Sequence, residues 1–302
     1  MGTNAVRATG AYLSPLRYPG GKRKLANFVK LMFVTNDLVG GEYAEPYAGG
    51  AGIALALLFD QYVRAVHIND LDRAVYAFWH SVLNASEGLC RLIQNTPITP
   101  DEWHRQKDVQ DDPDASMLAL GFSTFFLNRT NRSGIIGGGM IGGERQAGDW
   151  KLDARFTKPD LVRRIRRIAK HRQRIHLSNM DASDFMSDVA PALPEDTLCY
   201  LDPPYYAKGR RELYANSYEP RDHGEMADLV RTTNRPWIVS YNDVPEVRTL
   251  YQGFRRLNYV LSYSVRRRYK GDEVMFFSHD LRLPNVSDPV RLTKRDLAEY
   301  LV

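Results

Sequence analysis

Residues 41–70, GEYAEPYAGGAGIALALLFDQYVRAVHIND, constrain the fold more than any other stretch. A short run with strand character ends at Glu45, Gly49, Gly50 and Gly52 follow in a tight turn, and an apolar helix begins near Ile53 before RAVHINDLD reads as a second strand. Two strands joined through a helix pair in parallel by a right-handed crossover, so the chain is expected to be α/β with a parallel sheet. Glycine has no Cβ, and such a turn lets a ligand approach the amides at the helix N-terminus. About 20 residues on, the second strand ends in Asp70, where nucleotide-binding sheets place an acid for ribose hydroxyls. Leu55 stands where a G-x-G-x-x-G pattern counted from Gly50 needs its third glycine, which favours a nucleoside without phosphates over a dinucleotide.

Beyond Ala74 the pattern changes to helical segments, RAVYAFWHSVL and ASMLALGFSTFFLNR, followed by the glycine-rich SGIIGGGMIGGERQAGDW. Strands resume with RIHLSNMD, TLCYLDPPYY, RPWIVSYND and EVMFFSHD. The simplest organisation is one sheet domain in two parts, 1–73 and 174–302, split by an inserted, mainly helical domain at 74–173. The 302 residues include only Cys90 and Cys199, too few for a disulfide framework or a thiolate metal site, and no histidine stands in an H-x-x-x-H pair. No metal is expected. Without a run of about 18 apolar residues or a signal-like N-terminus, the expectation is a cytoplasmic protein with no membrane partner.

The formal charge of +5 is modest but unevenly spread. LVRRIRRIAKHRQR (161–174) carries Leu161, Ile165 and Ile168 at helical spacing with arginines around the remaining circumference. KGRR (208–211) and VRRRYKG (265–271) add two more basic clusters, and the last reads as a loop between late strands. A solvated helix face and a phosphate-binding surface both account for the first cluster.

The sharpest chemical signal is TLCYLDPPYYAKG, where a buried run ends in Asp202, Pro203, Pro204 and Tyr205. Prolines donate no backbone hydrogen bond, so carbonyl acceptors stand beside the carboxylate and a flat ring. A planar amine such as adenine N6 is a poor nucleophile because its lone pair is delocalised. A carboxylate and a proline carbonyl holding its two hydrogens favour a pyramidal nitrogen, and Tyr205 offers a stacking face worth about 1–3 kcal/mol. Taken alone, Asp202 could equally cap a turn. LRYPGGKRKL (16–25) is not a phosphate loop, because Arg23 follows Lys22 where Ser or Thr is required.

Together, LRYPGGK, EPYAGGAG, NDLD, NMDASDF and LDPPYY, in this order, resemble the Dam-like N6-adenine DNA methyltransferases. The resemblance implies a Rossmann-like sheet with an inserted target-recognition domain, S-adenosyl-L-methionine as cofactor and double-stranded DNA as partner, and it allows a cognate restriction endonuclease. It assigns Tyr18, Lys22, Glu45, Pro46, Gly49, Gly50, Gly52, Asp70 and Asp181 to the cofactor, with Asp184 competing for the last role, and Asp202, Pro203, Pro204 and Tyr205 to catalysis. FFLNRTNRSGIIGG is similar to the stretch that enters the duplex in that family, which nominates Arg129, Arg132 and Ser133 for DNA; RRRYKGDE nominates Arg267, Arg268 and Lys270. Arg132, Ser133 and Gly134 depart from the pattern of close members, so no target sequence carries over. Transfer to cytosine N4 or to RNA, a nicotinamide oxidoreductase, and a catalytically silent DNA-binding protein are the competing readings.

Overall fold

The structure is a computed structural model that describes residues 13–17, 22–206, 218–265 and 267–300, and only the backbone over 262–265 and 267–270. Tyr18 and the 208–211 cluster lie outside the described residues, as do the side chains of Arg267, Arg268 and Lys270.

Seven strands form one sheet: β1 (Glu42–Glu45), β2 (Ala65–Asn69), β3 (Ile175–Ser178), β4 (Thr197–Leu201), β5 (Trp237–Asn242), β6 (Arg255–Val265) and β7 (Arg267–Phe277). Their order is β3-β2-β1-β4-β5-β7-β6. The first five are mutually parallel, and β7 runs antiparallel between β5 and β6. The strand order reverses between β1 and β4, so their carboxyl ends open the crevice in which such sheets bind ligands.

Helices α1 (Ala26–Thr35) and α2 (Gly52–Phe59) flank β1; α3 (Arg73–Asn84), α4 (Ser86–Asn95), α5 (Pro100–Asp111), α6 (Met117–Thr130) and α7 (Lys158–Ala169) lie between β2 and β3. The one-turn α8 (Ala182–Asp184), then α9 (Pro220–Thr232), α10 (Pro245–Leu250) and α11 (Lys294–Glu299) complete the chain. Side chains alternate across the sheet with the period of two that a doubly covered strand requires. Tyr43, Leu198, Tyr200 and Ile238 join the apolar cluster of α1, α2, α3, α6 and α7, whereas Ala44, Cys199, Leu201 and Val239 join that of α9 and α10.

Residues 74–173 share the sheet's core rather than enclosing one of their own: Phe78, Trp79, Phe125 and Ile165 belong to the same cluster as Val66 and Ile68. The α3–α6 crossing is tight at Gly121, where a Cβ would lie 2.4 Å from the Ala77 carbonyl.

One basic segment differs from its sequence reading, and a second gains internal partners. RRRYKGDE, read as a loop, is strand over 267–273: β6 and β7 pair up to Val265↔Arg267, because an antiparallel hairpin needs no crossover and extends beyond the parallel strands. The arginines of α7 are largely engaged within the protein. Arg163 and Arg164 pair with Asp160, Arg166 with Glu87 at 2.8 Å, and Arg167 lies 4.1 Å from the Phe59 ring centroid. Among the described residues no helix is long and apolar enough to cross a membrane.

Candidate active site

β4 delivers Asp202 to the crevice one residue past its end, and the prolines after it prevent the strand from continuing. Its Oδ1 is doubly held. The Lys22 ammonium approaches to 2.9 Å and the Ser240 hydroxyl, on β5, donates at 2.9 Å; Ser240 in turn accepts from the Tyr200 hydroxyl at 3.0 Å. Oδ2 makes no hydrogen bond among the described residues, and the side chain keeps 24% of its surface. One oxygen is thus fixed and the other presented.

Lys22 opens a short 3-10 turn, Lys22–Leu25, and is buried. Gly52, the first residue of α2, allows this turn to pack closely, since a Cβ there would lie 3.2 Å from the Arg23 Cβ. Burial opposes the Lys22 charge, but Asp202, then Tyr205 and Glu273, outweigh it and hold the ammonium well above the ordinary lysine range. The resemblance assigned Lys22 to the cofactor; its ion pair is with Asp202 of the D-P-P-Y tetrapeptide. Glu273, from β7, was missed altogether: its Oε2 lies 3.4 Å from Lys22 and its Oε1 accepts from the Tyr205 hydroxyl at 3.0 Å. The Lys22 ammonium also lies 5.1 Å from the Tyr205 ring centroid. An acid within a basic run gives no sign in sequence that it folds inward.

The glycine turn lies beside this group. Gly49 and Ala51 both take left-handed backbone, φ 46° and φ 45°, and Ala51 precedes α2. The turn is braced from three sides. The Gly49 amide donates to Asp70 Oδ2 at 2.8 Å, the Trp79 indole to the Gly49 carbonyl at 2.9 Å, and buried Asn69 to the Pro46 carbonyl at 3.0 Å. Asn69 also bonds the backbone of Met180 through both ends of its amide, tying β1, β2 and the chain after β3 together. Nothing in the sequence distinguished it from Asp70 beside it. Burial pushes Asp70 up to about 7, against the pull of the Asp72 and Gly49 amides.

Glu45, at the end of β1, is 5% exposed. Its Oε1 accepts from the Tyr43 hydroxyl at 2.9 Å, while buried Oε2 has no hydrogen-bond partner among the described residues, and burial pushes the acid up to about 8. An orphan acceptor beside a glycine turn fits the ammonium of an amino-acid-bearing nucleoside. Asp181 caps α8, its Oδ1 accepting from the Ser183 amide and hydroxyl at 2.8 and 2.6 Å, and leaves Oδ2 without a partner among the described residues. Asp184 is exposed. Among the described residues no three His, Cys, Asp or Glu side chains gather as a metal would require.

The DNA nominees divide. Arg129 is 7% exposed, donates to the Pro15 carbonyl, and is pushed down to about 9 by burial and by Arg164 and Arg17. Its guanidinium is interior, so the expected surface contact is corrected to a brace of the N-terminal segment. Asn128, its neighbour, clamps Arg17 through both backbone groups at 2.7 and 2.8 Å and the Gly134 carbonyl at 2.7 Å. Arg132 is exposed on the turn that follows, and Ser133 is half-buried with φ 61°.

The model of the D12 class N6 adenine-specific DNA methyltransferase family matches residues 18–265. The chain belongs to that family. As a D12 methyltransferase it transfers a methyl group from S-adenosyl-L-methionine to adenine in DNA, and the sheet order and crevice described above are the scaffold of that activity. Among solved structures it is similar to the rRNA methyltransferase aviRa from Streptomyces viridochromogenes, at 14% identity and a TM-score of 0.40 over 87% of each chain. It is also similar to a SAM-dependent methyltransferase from Agrobacterium tumefaciens, at 8% identity and a TM-score of 0.39 over 84% of this chain and 62% of that one. No curated protein matches.

Proposed function

We propose that this D12 methyltransferase acts at a specific site, on an adenine extruded from duplex DNA, and that Asp202, Pro203, Pro204 and Tyr205 form the surface on which the extruded base is held. The observation that carries this reading is the asymmetry of Asp202: Oδ1 is saturated by Lys22 and Ser240, which leaves Oδ2 as the acceptor aimed at a substrate amine. Oδ2 accepts one N6 hydrogen and the Pro203 carbonyl the other, which turns the nitrogen lone pair out of the ring plane. Tyr205 stacks on the base. Inside a duplex, N6 is paired and stacked, and reaching it means taking the base out.

When bound, S-adenosyl-L-methionine supplies a methyl group on a positively charged sulfur. The Glu45 Oε2 accepts from its amino-acid end, Asp70 and the amides at Gly49, Gly50 and Gly52 line the ribose side beside Pro46, and Asp181 Oδ2 contacts the base. Catalysis rests on orientation of the two reactants, an effect of roughly 7–11 kcal/mol in intramolecular models. Arg132 and Ser133, on the turn after α6, contact the duplex, and residues 74–173 act as the target-reading unit although they share the sheet's core. The enzyme works in the cytoplasm, on the nucleoid, beside a cognate restriction endonuclease where one is encoded with it.

The test is binding to duplexes whose mapped target adenine is either paired or mismatched. Extrusion costs a few kcal/mol less when the pair is already broken. The mismatched duplex is therefore expected to bind about tenfold tighter or more; equal affinity contradicts base extrusion.

A further inference from the structure

We propose that Glu273 is a positioning residue for methyl transfer, fixing the Lys22 ammonium that holds Asp202 and the hydroxyl that sets the Tyr205 ring. The inference rests on the reading of Asp202 and Tyr205 given above. Glu273 is 1% exposed, and a buried carboxylate is retained only where cations and donors compensate it. Each of its oxygens faces a residue of the site: Oε1 accepts from the Tyr205 hydroxyl at 3.0 Å, and Oε2 lies in ion-pair contact with Lys22 at 3.4 Å. The register Asn242↔Glu273 brings it from the antiparallel β7 to the same sheet edge at which β4 ends, so the acid reaches the group from the strand after next.

Charge counting gives the arrangement its purpose. A lone Lys22–Asp202 pair would be neutral, and Asp202 would be a weakened acceptor. With Glu273 the ammonium is shared between two carboxylates, so it neutralises Asp202 less fully and Oδ2 of Asp202 remains a strong acceptor. The same hydroxyl bond ties the far end of the Tyr205 ring, which Asp202 and its prolines cannot do because they hold only the backbone end. Glu273 touches neither the base nor the cofactor in this account. It acts through Lys22 and Tyr205.

The experiment compares wild type with Glu273→Gln, which keeps the shape and removes the charge, and with Tyr205→Phe, alone and combined. Single-turnover methylation of unmethylated DNA is followed beside cofactor binding by calorimetry and thermal melting. E273Q is expected to slow methyl transfer about tenfold to a hundredfold, the scale of a misplacement near 1 Å, while cofactor affinity stays within about twofold and KM for DNA within about threefold. The double variant is expected to be slower than either single one but by less than the product of the two, since E273Q loosens Lys22 and weakens the acceptor that Y205F leaves unused. A rate within about twofold of wild type, a loss matched by an equal fall in cofactor affinity or melting, or effects that multiply in the double variant would each overturn the proposal. If E273Q does not fold, Y205F alone decides: a several-fold slower rate is expected, and an unchanged one overturns it. Asp202→Ala, run alongside, keeps the two claims apart: activity surviving in D202A removes the reading of the site itself, whereas an inactive D202A with a fully active E273Q removes only the role of Glu273.

Discussion

Glu45 has a cost in the free protein that can be measured. Its carboxyl, pushed up to about 8 by burial, binds its proton more tightly folded than unfolded. The stability this contributes is fully present below the unfolded value near 4.5 and is lost as pH rises through about 8. Glu45→Gln removes the titration. Without cofactor, the variant is expected to melt several degrees higher than wild type at pH 8, with the gap closing toward pH 4.5, and to bind S-adenosyl-L-methionine at least tenfold more weakly. Melting scans at four pH values with a calorimetric titration check both parts; a gap that does not change with pH contradicts the burial account of Glu45. Single residues are also where the sequence was least legible. The position of Asp202 at a strand exit could be read from its prolines and tyrosine, but Glu273 and Asn69 become part of the site only through strands paired across the sheet, and a lone acid or amide carries no trace of that.

Among the elements, the βαβ unit and the strand ending in D-P-P-Y were legible because each binds period, turn residues and length into one local pattern. The basic segments were not. For α7 the sequence leaves a solvated face and a phosphate surface both open and gives no sign of Glu87 and Asp160 beside its arginines, and Arg129 looks exposed until the N-terminal segment is seen over it. β6 and the first half of β7 were hidden, the latter because a basic run interrupts the alternation a strand reader looks for, whereas EVMFF in the second half of β7 was legible. The elements between β2 and β3 hang on the α3–α6 crossing, where Gly121 admits a backbone approach that any side chain would block. Gly121→Ala forces a Cβ to within 2.4 Å of the Ala77 carbonyl, and overpacking of this kind costs about 1–3 kcal/mol or more. Thermal melting is expected to fall by several degrees and cofactor binding to fall with it, because the same helix α3 holds Trp79 against the glycine turn. A variant as stable as wild type would mean the crossing can open without disturbing the sheet.

For the whole molecule, a parallel sheet brings a glycine turn, Asp70 and a D-P-P-Y exit to one edge, and an antiparallel pair adds Glu273 beside Lys22 and Tyr205. The helices between β2 and β3 continue the same core and carry Arg132 out on the turn beyond α6. The family supplies the reaction; the geometry supplies the division of labour between a fixed and a presented carboxylate oxygen. The most direct measurement is transfer of label from methyl-labelled S-adenosyl-L-methionine to unmethylated duplex DNA by wild type and Asp202→Ala, with nucleosides separated after digestion. The account predicts label in N6-methyladenine for wild type and a loss of at least about a hundredfold in the variant, with cofactor binding retained. Label in a cytosine product, or N6-methyladenine formed at full rate without Asp202, would contradict it.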